Sequence, residues 1–120
     1  MANPFVHVEL NTTDVAKAKA FYGNLFNWTL EDVPMPEGAY TIIKVGEGTG
    51  GGIMKHPVPG VPSAWLAYVL VDDIAAATKK AKSLGANVMK DVTEVMGMGS
   101  LSIIVDPTGA VLGLWQPKSR

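Results

Sequence analysis

Two side chains that can exchange protons lie two residues apart near the start of the chain, His7 and Glu9. They fall in Phe5–Asn11, where polar and apolar residues alternate as in a β-strand. Strand residues two apart point to the same face, so His7 and Glu9 are predicted to share one space. An imidazole beside a carboxylate can act as a general acid–base pair, hold a metal ion, or form a buried hydrogen-bonded pair. All three roles stay open, and we favour lining of a ligand site over catalysis.

The composition of the chain excludes several classes of function. The chain of 120 residues has no cysteine, which excludes disulfides, thiolate zinc sites and a cysteine nucleophile. A formal net charge of −1 does not indicate a positively charged surface of the kind that binds nucleic acid or a membrane. The N-terminus lacks a basic region followed by an apolar run, so no secretory signal is predicted and we expect a cytoplasmic protein.

The sequence predicts the same order of helix and strands twice. The first unit has a predicted strand, a helix and three short strands, and the second repeats that order. The predicted elements of the first unit are Phe5–Asn11, a helix capped by Thr13 or Asp14, Trp28–Asp32, Tyr40–Val45 and Gly51–Lys55. Those of the second are Ala64–Val71, a helix over Ile74–Leu84 after the capping pair Asp72–Asp73, Val88–Val92, Ser100–Asp106 and Val111–Trp115.

The apolar stripes of the two helices support a duplication. Each stripe residue of the first helix has a counterpart 59 positions later: Val15 and Ile74, Ala18 and Ala77, Tyr22 and Ala81, Leu25 and Leu84. A shared stripe, cap and strand order indicates a tandem βαβββ repeat. We predict one α+β domain over residues 1–120, with a first module at about 4–56 and a second at about 63–117.

Each module offers a small sheet with one helix on its outer face. Two modules side by side are expected to form a curved mixed sheet whose concave side is a cleft. The strand residues that point away from the helices would then line that cleft.

Three stretches carry a resemblance to a known superfamily. The segments HVELNTTDVAKAKAFYGNLFNW, VLVDDIAAATKKAKSLGANV and VDPTGAVLGLWQ resemble the vicinal oxygen chelate superfamily. That superfamily includes glyoxalase I, bleomycin-resistance proteins and extradiol dioxygenases. The resemblance covers essentially the whole chain and is greatest to short glyoxalase-related proteins. It implies paired βαβββ modules, a cupped mixed sheet and a homodimer.

The resemblance also implies where a metal ion would be held, namely by the first and last strands of each module. His7 matches the first of these positions. The other three positions are occupied by Trp65 or Leu66, Gly52 or Met54, and Gly113. A divalent cation needs three or four oxygen or imidazole ligands, so we expect neither a metal ion nor another cofactor. One alternative stays open, a rebuilt site from His7, Glu9 and His56, since two histidines and a carboxylate form a known open triad.

Large apolar side chains are expected around the cleft. Each of them could simply belong to the core, but together Met54, Trp65, Tyr68, Met96, Met98 and Trp115 suit an aromatic or apolar ligand. Strand alternation separates Trp65 from Tyr68, and we favour Trp65 because it neighbours a lost ligand position. The predicted ligand-binding residues are His7, Glu9, Met54, His56, Trp65, Met98 and Trp115.

Two functions remain, and a purely structural dimer, whose cleft is filled by its own side chains, is a third possibility. The first is a glyoxalase/bleomycin-resistance-like homodimer that binds a small, apolar or aromatic molecule in a metal-free cleft. The second is a glyoxalase-related enzyme, a lyase, isomerase or hydrolase. In it Glu9 and His7 would be catalytic and transfer protons, with or without a non-standard metal.

Overall fold

The computed structural model describes residues 3–35, 38–95 and 97–118. The strands of the first repeat are β1 (Phe5–Thr12), β2 (Thr29–Met35), β3 (Gly38–Lys44) and β4 (Gly51–Lys55), and its helix is α1 (Val15–Leu25). Those of the second are β5 (Ala64–Leu70), β6 (Asn87–Val95), β7 (Gly99–Val105) and β8 (Val111–Pro117), with helix α2 (Ile74–Ser83). The predicted βαβββ repeat and the α+β class are confirmed.

The chain divides into two compact units. One unit is His7–Leu66, which contains most of the first module, and the other runs from Ala67 onward and includes the residues up to Val6. Pro4 lies in the same unit as Leu70, and its carbonyl accepts a hydrogen bond from the backbone N–H of Leu70 at 2.9 Å.

The first module is a sheet covered by a helix on one face. Its strand order is β2-β3-β4-β1, with β1 parallel to β4 and the other neighbours antiparallel. Leu10, Ala18, Ile43 and Ile53 form the buried core between α1 and the sheet. Since Leu10 faces the helix, the residues on either side of it, Glu9 and Asn11, face the other way. We call this second surface the helix-free face.

The second module repeats the arrangement in the order β5-β8-β7-β6, with β5 parallel to β8. Its core contains Val71, Ile74 and Leu114. A polar pair replaces apolar contact at one point, where the hydroxyls of Thr78 and Ser102 lie 2.9 Å apart and are both buried. Each buried hydroxyl therefore has a hydrogen-bonding partner, as burial requires.

Both helices begin at an aspartate. The Asp14 side chain accepts a hydrogen bond from the N–H of Lys17 at 3.0 Å, and Asp73 does the same for Ala76 at 3.1 Å. Of the two residues predicted as first cap, Asp14 is the cap, and Thr12 supports it by accepting from the Asp14 N–H. These bonds satisfy backbone donors that a helix start leaves without partners.

Several strands run further than the sequence pattern predicts, and β2 and β6 show the largest differences at their ends. β2 continues past Asp32 to Met35 and includes Pro34, and β6 continues past Val92 to Val95. Proline lacks the N–H that a central strand needs, but β2 is the outer strand of its module, where that donor is not required.

Candidate functional site

The register between β1 and β4 sets the geometry of the site. Glu9 lies opposite Gly52, and Asn11 lies opposite Met54. Paired residues of neighbouring strands share a face, so His7, Glu9, Gly52 and Met54 all belong to the helix-free face of the first module. The prediction that His7 and Glu9 face one space is consistent with this register.

A tyrosine joins the two predicted side chains. The Oη atom of Tyr40, on β3, lies 2.7 Å from Nε2 of His7 and donates a hydrogen bond to Oε1 of Glu9 at 3.0 Å. The rings of His7 and Tyr40 are stacked, with centroids 6.3 Å apart and an interplanar angle of 21°. The buried carboxylate therefore accepts a hydrogen bond from a phenol that also reaches the histidine.

The hydrogen-bond chain has a direction. A phenol carries one hydrogen, and Tyr40 gives it to Glu9, so Nε2 of His7 must donate to Oη of Tyr40. Burial lowers the pKa of His7 from its ordinary value of 6.5, which makes the neutral ring the main form at pH 7. Glu9 is only 8% exposed and accepts the hydrogen bond from Tyr40. We call this arrangement the His7–Tyr40–Glu9 chain.

Gly52 makes room for the tyrosine. A Cβ atom added to Gly52 would lie 2.0 Å from Oη and 2.2 Å from Cζ of Tyr40, far closer than non-bonded atoms approach. The ring of Tyr40 therefore lies directly over the backbone of β4, where any side chain at position 52 would have to project. A side chain at position 52 would therefore require the ring of Tyr40 to move.

Apolar side chains surround the polar chain on the same face. Val33 of β2 lies opposite Tyr40, and Ile42 of β3 lies opposite Gly52, which places both on the helix-free face with Met54. Nearer the outer strand, Glu31 and Lys44 form an exposed ion pair at 2.8 Å. The face thus combines a buried acceptor with partly buried hydrocarbon.

In the second module a tyrosine ring also covers a glycine, but this tyrosine comes from the first strand of the module. The ring of Tyr68 on β5 lies over Gly113 of β8, where an added Cβ would be 2.4 Å from Cδ2. Tyr68 is only 3% exposed. Both glycines stand at positions where the family resemblance implies a metal ligand, and both are covered by a tyrosine ring.

The residues present do not fit a metal ion. Within the described ranges, no group of three His, Cys, Asp or Glu side chains is placed to hold one. The Glu9–Gly52 pair corresponds to the Tyr68–Gly113 pair, so the counterpart of His7 is Leu66, two residues before Tyr68, and not Trp65. Neither leucine nor glycine supplies a donor, and Nε2 of His7 already bonds to Tyr40.

The other predicted site residues lie in several places. His56 follows β4, and its Nδ1 atom accepts from the backbone of Val58 at 3.1 Å. Trp65 points to the opposite face from Tyr68 and packs edge-on against Tyr22 of α1, with ring centroids 5.4 Å apart. Their roles in ligand binding stay predictions.

In the second module, Trp115 lies opposite Leu101 on the face that carries Gly113. Met98 lies in the turn before β7 and is 51% exposed. Met96 falls outside the described residues. Ligand binding by Met98 and Trp115 also stays a prediction.

Sequence reasoning missed Tyr40 as a site residue. Tyr40 lies in a predicted strand, but the local sequence did not indicate its hydrogen bonds to His7 and Glu9. These partners belong to a strand more than thirty residues away. One usable signal was Gly52, since a glycine inside a strand pattern indicates that another group approaches the backbone closely.

Each module also has a shallow depression elsewhere. In the first module it is lined by Asn27, Thr29, Val45 and the loop glycines, with a volume of about 520 Å³. In the second it lies beside α2 and is lined mainly by apolar residues, with a volume of about 410 Å³. Neither depression is lined by His7, Glu9 or Tyr40. Lys44 is the charged residue that lines the depression of the first module.

Comparison with known families and proteins gives a consistent result. The model of the Glyoxalase/Bleomycin resistance protein/Dioxygenase superfamily matches residues 5–114. A protein named "Putative glyoxylase CFP32" from Mycobacterium tuberculosis is 38% identical over 114 residues, covering 91% of this chain and 44% of its own. The anthracycline biosynthesis protein DnrV of Streptomyces peucetius is 28% identical over 123 residues, covering 90% of this chain and 45% of its own. This chain therefore spans less than half the length of these relatives.

Solved structures share the fold at low identity. The hypothetical protein BH1468 of Bacillus halodurans aligns with a TM-score of 0.76 and 12% identity, over 100% of this chain and 98% of its own. The methylmalonyl-CoA epimerase of Mycobacterium tuberculosis aligns with a TM-score of 0.72 and 14% identity, over 96% and 88%. At these identities the similarity concerns the fold alone. No helix in the described part of the chain is long and apolar enough to cross a membrane.

Proposed function

Because the chain belongs to the glyoxalase/bleomycin resistance protein/dioxygenase superfamily, we propose that it binds a small aromatic or otherwise apolar molecule without a metal ion. The binding surface is the helix-free face of the first module. The observation that carries this proposal is the His7–Tyr40–Glu9 chain, which holds a buried carboxylate among partly buried apolar side chains. A few fixed polar groups within an apolar lining are typical of small-molecule sites.

The proposal of metal-free binding rests on the donor set. His7 and Glu9 supply two metal-binding side chains on this face, and both are hydrogen-bonded to Tyr40. Three or four ligands are typical of a stable zinc or calcium site. The relative named for anthracycline biosynthesis supports an aromatic ligand, since anthracyclines are polycyclic aromatic compounds.

The experiment is a titration of the purified protein with an anthracycline, followed by the fluorescence of the compound, with and without EDTA. We expect saturable one-to-one binding with the same Kd in both buffers. Loss of binding in EDTA would show that an ion is needed, and the absence of saturable binding would contradict the proposal itself.

The second candidate function is a glyoxalase-related enzyme in which Glu9 and His7 transfer protons. The observation that favours it is the continuous path of hydrogen bonds through Tyr40, which connects a base to an acid. The narrowest version is tested with the hemithioacetal of methylglyoxal and glutathione. We expect no turnover, and turnover that Glu9→Gln abolishes would establish the enzyme instead.

We also propose that the protein is a homodimer in solution. The helix-covered side of the first module exposes several large apolar side chains, among them Phe21 at 58% and Phe26 at 44%. An exposed aromatic group of this kind is typical of surfaces that contact another protein.

A further inference from the structure

The two modules differ in the side chains that their helices carry. In the first module, Tyr22 of α1 lies at the centre of a cluster of aromatic rings, whose centroids are 4.9–6.5 Å from its own. The other members of this cluster are Phe21, Phe26, Trp28 and Trp65. Because the capping aspartates of the two helices are 59 positions apart, the counterpart of Tyr22 in α2 is Ala81. The counterparts of Phe21, Phe26 and Trp28 are not aromatic either, and are Lys80, Gly85 and Asn87.

The second module has an open depression beside the helix residue that replaces Tyr22. We call this depression of about 410 Å³ the α2 groove. Ile104 and Leu114 line it from the sheet and are buried, whereas Ala77 and Ala81 line it from the helix. Leu84, at the end of α2, also lines it and is 69% exposed. The short side chain of Ala81 therefore leaves apolar space at the position where the first module has an aromatic ring.

The first module exposes an aromatic ring that suits this groove. Phe21 is 58% exposed on α1, and the neighbouring Leu25 is 55% exposed. Exposed apolar groups of this size are typical of surfaces that contact another protein. The ring of Phe21 packs edge-on against Tyr22, with centroids 4.9 Å apart and an interplanar angle of 82°. Since this contact already orients the ring, its burial by a partner costs less side-chain entropy than that of a free ring.

The charges beside the exposed ring and beside the groove are opposite in sign. Lys17 lies one turn before Phe21 on α1, and side chains four residues apart share a helix face. Asp72 lines the α2 groove, and so do Asp73, which caps the helix, and Lys80, about two turns further along it. Among the described residues, neither the ammonium of Lys17 nor the carboxylate of Asp72 has an ion-pair or hydrogen-bonding partner. A second copy of the chain supplies the partner that each of them lacks.

We propose that the α2 groove of one copy receives the ring of Phe21 from a second copy, with Lys17 of that copy beside Asp72. In a closed pair of identical chains this contact occurs twice, since each copy has one exposed ring and one groove. The proposal rests on the homodimer proposed above, because it names the surfaces by which two copies meet. It also accounts for the difference between the two helices, because one module supplies the ring and the other supplies the space for it.

The first test fills the groove from within the chain. Ala81→Tyr gives α2 the ring that Tyr22 supplies in α1, and should raise the dissociation constant of the dimer about tenfold or more. This is the loss expected when an apolar ring can no longer be buried at the contact. Ala75→Tyr adds the same ring to an exposed position of α2 that does not line the groove, and should leave the constant unchanged. Sedimentation equilibrium measures the constant, and circular dichroism shows that each variant is folded.

The second test leaves the apolar part of the groove unchanged. Lys17→Glu and Asp72→Lys should each weaken the dimer about two- to fivefold at low ionic strength, because each places two like charges side by side. The double variant restores an opposite pair and should recover most of the wild-type affinity. Both side chains are exposed, so the folded chain tolerates either change. This series decides the matter if Ala81→Tyr is not folded.

The outcomes separate this contact from the homodimer itself. A wild-type protein that is monomeric overturns both. A dimer that a folded Ala81→Tyr leaves intact overturns only the contact, since the two copies then meet at other surfaces and the groove has a different occupant. The contact is also wrong if Ala75→Tyr weakens the dimer as much as Ala81→Tyr, or if the double charge variant is no tighter than the single ones.

Discussion

At the scale of single residues, Tyr40 determines how His7 and Glu9 can act. Glu9 is buried, and its carboxyl accepts a hydrogen bond from the phenol of Tyr40. His7 is held by the same hydroxyl, so the two side chains are coupled through a third. Any change at one of the three positions is expected to alter the other two.

The first prediction concerns the pH dependence that His7 confers. Burial lowers its pKa in the folded protein below 6.5, whereas the unfolded chain keeps the ordinary value. The unfolded state therefore binds more protons between these two values, so the contribution of His7 to stability is complete above pH 6.5 and decreases as the pH falls below it. Melting temperatures of the wild type should fall more steeply with acidification than those of His7→Gln.

An NMR titration of the imidazole protons gives the pKa directly. The chain has two histidines, and His56→Gln leaves His7 as the only one, so its signal is identified without ambiguity. A His7 pKa at or above 6.5 in the folded protein would contradict the described burial.

The second prediction concerns the contact between Tyr40 and Gly52. Gly52→Ala should lower the free energy of unfolding by about 1–3 kcal/mol, the usual cost of overpacking, because its Cβ would meet the phenol ring. In a Tyr40→Ala background the same change should cost much less, and denaturant unfolding of the four proteins gives the coupling. Equal costs in the two backgrounds would show that the ring does not cover position 52.

The residue scale also shows what sequence can and cannot reveal. The period-two pattern was enough to put His7 and Glu9 on one face, because alternation is a local property of a strand. Tyr40 could not be found in this way. Its contact with Glu9 spans 31 positions and depends on the pairing of β1, β4 and β3, which local pattern does not encode.

At the scale of elements, the helices and strands follow local sequence rules closely. Asp14 and Asp73 start the two helices, and the strand order repeats as the sequence predicts. The ends of β2 and β6 were predicted too early. In β2 the reason is Pro34, which reads as a strand breaker until its outer position in the sheet is known.

The third prediction tests the helix caps. Asp14→Ala and Asp73→Ala should each lower the free energy of unfolding by about 1 kcal/mol, because each leaves a backbone N–H of the first turn without its side-chain partner. Urea unfolding measures the change. Asn should restore most of the loss at both positions, and an Ala variant as stable as the wild type would exclude a capping role.

At the scale of the molecule, duplication explains the fold better than the function. Two copies of one βαβββ unit account for the described strands, both helices and both cores. The chemical groups are not duplicated, since Glu9 corresponds to Tyr68 and His7 to Leu66. The fold could therefore be predicted from the repeat, whereas the candidate site depends on substitutions in one copy.

The fourth prediction concerns assembly. Light scattering should give a mass of twice the 12.7 kDa of the chain. Replacing the exposed Phe21 and Phe26 with serine should shift the protein towards the monomer, because both are large apolar groups at the surface. Serine at Val58, which is 53% exposed in the loop after β4, serves as a control. A monomeric wild type would remove the homodimer from the account.

The central claim is that the helix-free face of the first module binds the ligand, and backbone NMR of the protein titrated with 2-naphthol tests it most directly. We predict that the amide shifts change most at residues 7–9, 40–42 and 52–54, and that Tyr40→Phe weakens these changes. Shifts confined to the aromatic residues of α1, with residues 7–9 unaffected, would contradict the claim.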